Sequence, residues 1–160
     1  MIRSVDENSA EALLEVYRQC EDFLSLGPVP KASMAMVLED LKHSREMSGD
    51  FCGIYIGEEL AGVVDFVTDG FEGEPGVAFL SLLMIAGKHR GTGLGCKVVE
   101  AVEAEILREG CVRTIFSGVQ ANNGSAIHFW LRRGYRITGG LELMPDLTIC
   151  YSLRKDISGR

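Results

Sequence analysis

Gly91, Gly93 and Gly95 stand at alternate positions directly after the basic tripeptide Lys88-His89-Arg90. Glycine lets a main chain approach a ligand closely, and the three basic residues add local positive charge. The chemistry open to such a string is the holding of an anion. Its flanks decide how it would do so. Leu80 to Ile85 is apolar except for Ser81 and short enough for a buried strand. From Leu94, apolar residues recur at Leu94, Val98, Ala101, Val102 and Ile106, one face of a helix extending to Glu109. The order is therefore strand, glycine loop, helix N-terminus. The unpaired N–H groups and the dipole of such a start favour a phosphate.

Two common phosphate loops fail on spacing. No G-x-x-x-x-G-K-[ST] string occurs in the chain. A dinucleotide fingerprint needs G-x-G-x-x-G, but Cys96 stands where its last glycine belongs, and the loop lies past the middle of the chain.

Arg90-Gly-Thr-Gly-Leu-Gly95 instead resembles the R/Q-x-x-G-x-G/A motif of the GNAT acetyltransferase superfamily. A second string, Asn123-Gly-Ser-Ala126-Ile-His-Phe-Trp130-Leu-Arg-Arg-Gly134-Tyr135, resembles that family's later motif, N-x-x-A-x-x-x-Y-x-x-x-G-F. The asparagine, alanine, aromatic, glycine and final aromatic fall in step. The two strings keep the family's order, one helix and one strand apart.

The resemblance implies an acetyl-coenzyme A-dependent N-acetyltransferase. Arg90, Gly91, Thr92, Gly93, Leu94, Gly95 and Cys96 would then wrap the coenzyme A pyrophosphate, with Cys96 acting as a main-chain donor. The backbone of Leu83 and Ile85 would pair with the pantetheine arm, and the N–H of Leu83 or Met84 would face the developing oxyanion. Asn123 would touch the cofactor near its pantetheine, and Asn also suits a helix N-cap. Ala126 would pack beneath it. Trp130 departs from the pattern, since many members carry a tyrosine there that protonates the leaving thiolate. An indole N–H donates a hydrogen bond but is no acid at physiological pH, which leaves Trp130 as cofactor packing.

A general base is not selected by the sequence. Glu72 and Glu74 precede the central strand, Asp65 interrupts an apolar strand where it is either buried with a raised carboxyl pKa or on the solvated face of the hairpin, and His89 and His128 read as phosphate-contacting or surface residues. The resemblance implies a small-molecule or peptide amine, of unknown identity, as the acceptor. The alternative from another class is a catalytically inactive domain that binds or senses acyl-coenzyme A.

Composition bounds these readings. At 160 residues, 46% hydrophobic and 24% charged, one domain over residues 1–160 is expected. A net charge of −7 argues against nonspecific nucleic-acid binding and is compatible with a cationic amine. No apolar run reaches the roughly 20 residues that span a bilayer, and the N-terminus lacks the apolar core of a signal peptide, so no membrane association and a cytoplasmic location are expected. Five scattered cysteines without a C-x-x-C pair argue against a disulfide framework and a zinc site. A homodimer is compatible with the resemblance.

The elements that position these residues follow from periodicity. Ile2 to Val5 is strand-like, and Asn8 with Glu11 forms a capping pattern. Leu13, Val16, Tyr17, Cys20 and Leu24 share a helix face. Ser33 caps a helix whose face is Met34, Val37, Leu38 and Leu41. Phe51 to Ile56 and Leu60 to Thr68 form a hairpin, and residues 77–85 are the central strand. Gly110 caps the long helix, 112–119 is a strand, 126–133 a helix, and 134–138 with 147–153 close the sheet. The fold class is α+β: a mixed, mostly antiparallel GNAT-like sheet with helices on both faces.

Overall fold

In a computed structural model, the structure describes residues 1–108 and 110–157. Glu109, the expected end of the long helix, lies outside the described residues. Seven strands, β1 (Ile2–Ser4), β2 (Asp50–Ile56), β3 (Glu59–Val67), β4 (Val77–Ile85), β5 (Thr114–Gln120), β6 (Arg136–Leu143) and β7 (Ile149–Asp156), form one sheet in the order β1-β2-β3-β4-β5-β7-β6. All neighbours are antiparallel except β4 and β5.

The helices are α1 (Ala10–Arg18), α2 (Glu21–Leu24), α3 (Met34–Glu46), α4 (Leu94–Arg108) and α5 (Gly124–Arg132). One sheet face packs against α1 and α3, burying Leu13, Tyr17, Val37, Leu41, Val63 and Met84. The other packs against α4 and α5, burying Leu80, Val98, Val102, Ile106, Ile115 and Leu153. The expected α+β architecture with helices on both faces is the one observed.

The joint between β4 and β5 organises everything else. Only Val77–Leu80 pairs with Thr114–Ser117. The Ser117 hydroxyl donates to the Leu80 carbonyl at 2.7 Å, the last tie before the strands part. Immediately beyond it, Ser81 is skipped in the register with β3, where Asp65 faces Leu82 and Phe66 faces Leu80. Such a bulge adds twist and bends a strand. From Ser81 to Ile85 the strand keeps β3 as neighbour and leaves β5, so the sheet forks.

Several local expectations change. The first helix ends at Arg18, and Cys20 and Leu24 belong to a break and to α2. Its N-terminal cap is not the Asn8–Glu11 pattern: Asp6 accepts from the Asn8 N–H and starts a single 3-10 turn at Glu7–Ser9. Ser33 caps α3 as expected, accepting from the Met36 N–H at 3.2 Å, but Leu38 is 41% exposed and not part of the core. Gly110 takes φ +79° and ends α4. The last hairpin is longer than its apolar pattern, because β6 is an edge strand with exposed residues and an irregularity between Thr138 and Glu142 that removes the alternation.

Candidate active site

The fork opens into a cleft of about 1700 Å³ bounded by β4, β5, the 89–96 loop, α2, α3, α5 and the turn of the β6–β7 hairpin. At its mouth, Gly91 and Gly93 hold φ of +72° and +84°, a region that side chains make costly. Thr92 Oγ1 donates to the His89 carbonyl at 2.7 Å and tightens the turn. The first regular helical bond runs from the Lys97 N–H to the Gly93 carbonyl. No main-chain N–H from Gly91 to Cys96 has an acceptor among the described residues. Six consecutive donors are thus free at a helix start, whose dipole adds partial positive charge. Leu94 is buried and anchors this end of α4. Gly95 faces the Phe129 ring of α5, with room for a Cβ in ordinary contact at 3.4 Å.

The side chains of the basic tripeptide are paired with carboxylates of the chain itself. Lys88 pairs with Glu59, and His89 Nε2 lies 3.5 Å from the same carboxylate. Arg90 pairs with Asp22 and donates from Nε to the Ile85 carbonyl at 2.8 Å. The Arg90 hydrogen bond holds the Asp22 carboxyl below its ordinary range. These pairs brace the loop against β3 and α2.

Along β4, the Ala86 N–H donates to the Ala61 carbonyl at 2.8 Å, and a Cβ on Gly62 would strike the Met84 carbonyl oxygen. The Met84 main chain therefore faces β3. By the alternation of a strand, Leu83 and Ile85 face the fork. Of these two main-chain N–H groups, that of Leu83 faces the fork and that of Met84 faces β3. The Ile85 carbonyl is already taken by Arg90 and approached by Cys20 Sγ at 3.5 Å, which leaves its N–H. Leu83 keeps both groups without a strand partner.

On the opposite wall, Asn123 caps α5: its Oδ1 accepts from the Ala126 N–H and from Ser125 Oγ, each at 3.2 Å. Its Nδ2 has no hydrogen-bond acceptor among the described residues. Trp130 is 6% exposed and sits edge-on between Phe129 and Tyr135, with centroids 5.2 and 5.0 Å away. It is a core ring that borders the cleft. Cys96 is half-buried in the first turn of α4.

The side facing α1 and α3 is roofed by residues 22–27. Asn122 Nδ2 donates to the Leu26 carbonyl at 3.0 Å, and Gly27 packs on Gln120 and Thr148. Glu39, Asp40 and His43 of α3, Glu72 and Glu74 of the β3–β4 loop, and Glu142 and Asp146 of the hairpin border this end. No lysine is among the described residues that line the cleft, and Arg90 is committed to Asp22.

Among the base candidates read from sequence, Glu72 and Glu74 are exposed at the rim. Asp65 does not line the cleft. It is 3% exposed, accepts a hydrogen bond from Ser44 Oγ at 2.6 Å, and burial pushes its carboxyl up to about 6 against the opposing pull of Ser44 and Ser81. His128 is exposed on the outer face of α5 beside Cys96 and Arg132. His89 faces Glu59. Sequence reading missed Asp40. The available signal was its place at i+3 between Val37 and the buried pair Leu41 and Ser44, which puts a carboxylate on the inward face of α3.

With the fork, the free amides and the Asn123 cap in place, comparison with known proteins gives a consistent class. The profile of the Acetyltransferase (GNAT) family matches residues 10–135, and the chain belongs to that family. No curated protein is significantly similar in sequence. Among solved structures, an acetyltransferase from Thermus thermophilus superposes with a TM-score of 0.79 at 22% identity, covering 98% of this chain and 96% of that one. The ribosomal-protein-alanine N-acetyltransferase of Brucella melitensis gives 0.72 at 19% identity, with 98% and 99% covered. The PaiA N-acetyltransferase of Thermoplasma acidophilum, in complex with coenzyme A, gives 0.69 at 16% identity, with 98% of each chain covered. No helix among the described residues is long and apolar enough to cross a membrane.

Proposed function

We propose that the protein is an N-acetyltransferase that moves the acetyl group of acetyl-coenzyme A to a primary amine by direct attack on the thioester. The run of free N–H groups from Gly91 to Cys96, at the open end of a forked sheet, carries this reading. A diphosphate has the oxygens such a run can satisfy. The pantetheine amides fit the unpaired edge of Leu83 and the Ile85 N–H, and the free Asn123 amide nitrogen faces them from across the fork. The coenzyme A complex of the PaiA N-acetyltransferase supports the choice of ligand.

Acetyl-coenzyme A brings an acyl group activated as a thioester. The chain's part is to hold and orient it, with the Leu83 N–H available to a carbonyl oxygen as negative charge grows there. Losing one donor of this kind costs on the order of 3 kcal/mol in related chemistry. The carboxylates at the other end, with no lysine among them, suit a cationic acceptor. Calorimetry with coenzyme A, followed by thiol release from acetyl-coenzyme A across spermidine, lysine methyl ester and an alanine-initiated peptide, tests the proposal. Binding and amine-dependent release are expected. Absence of coenzyme A binding overturns it, and binding without release on any amine points to an acyl-coenzyme A binding domain.

A further inference from the structure

Asp40 is half-buried on α3 and borders the acceptor end of the cleft. Its Oδ2 accepts the Tyr17 hydroxyl at 2.7 Å. Tyr17 is fully buried in the core between α1 and α3, so this bond ties the carboxylate's orientation to the rigid part of the fold. Oδ1 has no hydrogen-bond partner among the described residues.

The other carboxylates at this end are differently placed. Asp146 accepts the Thr148 N–H and hydroxyl and closes its own turn. Asp22 is paired with Arg90. Glu39, Glu72, Glu74 and Glu142 are exposed. Asp65 lies behind Ser81, away from the cleft surface. Asp40 differs from Asp146, whose donor closes its own turn, in being oriented by a fully buried core side chain from another helix.

We propose that Asp40, oriented by Tyr17, is the group that receives the acceptor's ammonium and takes up its proton. This assignment rests on the transfer reading above. One N–H proton passes to Asp40, and the nitrogen lone pair so freed attacks the thioester carbon. A C–N bond forms, the C–S bond breaks, and its electron pair leaves on sulfur. The second proton lost from nitrogen reaches the thiolate, and Asp40 returns its own to solvent.

The surroundings support a carboxylate that accepts protons readily. Burial raises the Asp40 pKa above its ordinary value, with Glu39 on the same helix and Asp146 on the hairpin acting in the same direction, while the Tyr17 hydrogen bond and His43 oppose them. Asp65, on β3 beneath, is a further negative neighbour. A general base contributes about 10²–10⁴-fold to such a step.

The test compares wild type, Asp40→Asn and Tyr17→Phe on the amine that turns over best, from pH 5.5 to 10, with coenzyme A calorimetry on each as the measure of an intact fold. The wild-type rate should fall on the acid side as Asp40 is protonated and level off above that limb. Asp40→Asn should bind coenzyme A normally and lose about 100-fold in rate at pH 7. Its rate should then climb with pH toward the amine's own pKa, because only free amine reacts. Tyr17→Phe should keep a base but shift the acid limb to higher pH, since the lost hydrogen bond favoured the charged carboxylate. A purely structural role would leave the profile's shape unchanged. Undiminished turnover by Asp40→Asn, or a loss with an unaltered pH profile, overturns this assignment alone. A wild type that binds coenzyme A yet acetylates no amine overturns the transfer reading and this assignment with it.

Discussion

Replacing Asp65 by asparagine isolates the free energy stored in one buried carboxyl. The group is 3% exposed, and its pKa rises from an ordinary 3.8 to about 6, chiefly because burial penalises the charged form. The native state therefore holds this proton more tightly than the unfolded chain does. Stability contributed by the protonated form is fully present below about pH 4 and is lost as pH climbs through about 6. The two-unit shift corresponds to about 3 kcal/mol across that window. Asparagine has nearly the same shape, stays neutral at every pH, and can still accept from Ser44 Oγ, whose bond to Asp65 measures 2.6 Å. The variant should thus gain about 2–3 kcal/mol at pH 7.5, or about 4–12 °C in Tm for a chain of this size. At pH 4 it should gain nothing. Urea unfolding of both proteins from pH 4 to 8, under reducing conditions, reads the difference directly. An asparagine variant less stable than wild type at pH 7.5, or a difference that does not grow between pH 4 and 6.5, would refute the reasoning.

Further perturbations bear on the cleft itself. Gly93→Val puts a branched side chain at φ +84° beside the free amides. Coenzyme A affinity measured by calorimetry should fall at least about tenfold, alongside backbone strain of about 1–2 kcal/mol in urea unfolding; unaltered affinity would contradict the loop assignment. Because Lys88 is paired with Glu59, Lys88→Ala should weaken coenzyme A binding by less than about threefold, the scale of an exposed ion pair. A loss of tenfold or more would restore the cation to the phosphates. Trp130→Phe should leave the acid-limb pH dependence of thiol release in place, since an indole transfers no proton, while lowering stability by about 1–3 kcal/mol through the volume lost beside Phe129 and Tyr135. Loss of a pH limb in that variant would assign the ring a role in proton transfer.

What the sequence determined by itself is local. The strand–glycine–helix order at residues 80–108, the positive φ that Gly91 and Gly93 supply, the Ser33 and Asn123 caps and the Gly110 stop all depend on residues within a few positions of one another. The family's two motifs are legible for the same reason. Tertiary structure decided what depends on long-range placement. The fork follows from a bulge at Ser81 that exists only because β3 and β4 pair out of step there. That Lys88 and Arg90 pair with Glu59 and Asp22 is not legible in the sequence, because those carboxylates lie far away in the chain. Met84 and Leu83 are indistinguishable by composition, and only the strand's register turns one toward β3 and the other toward the cleft. Asp40 becomes a wall of the acceptor end when α3 lies over the sheet and the β6–β7 turn closes opposite it. Charge and hydrogen-bond partnership are pairwise properties, and a linear pattern records only one member of each pair.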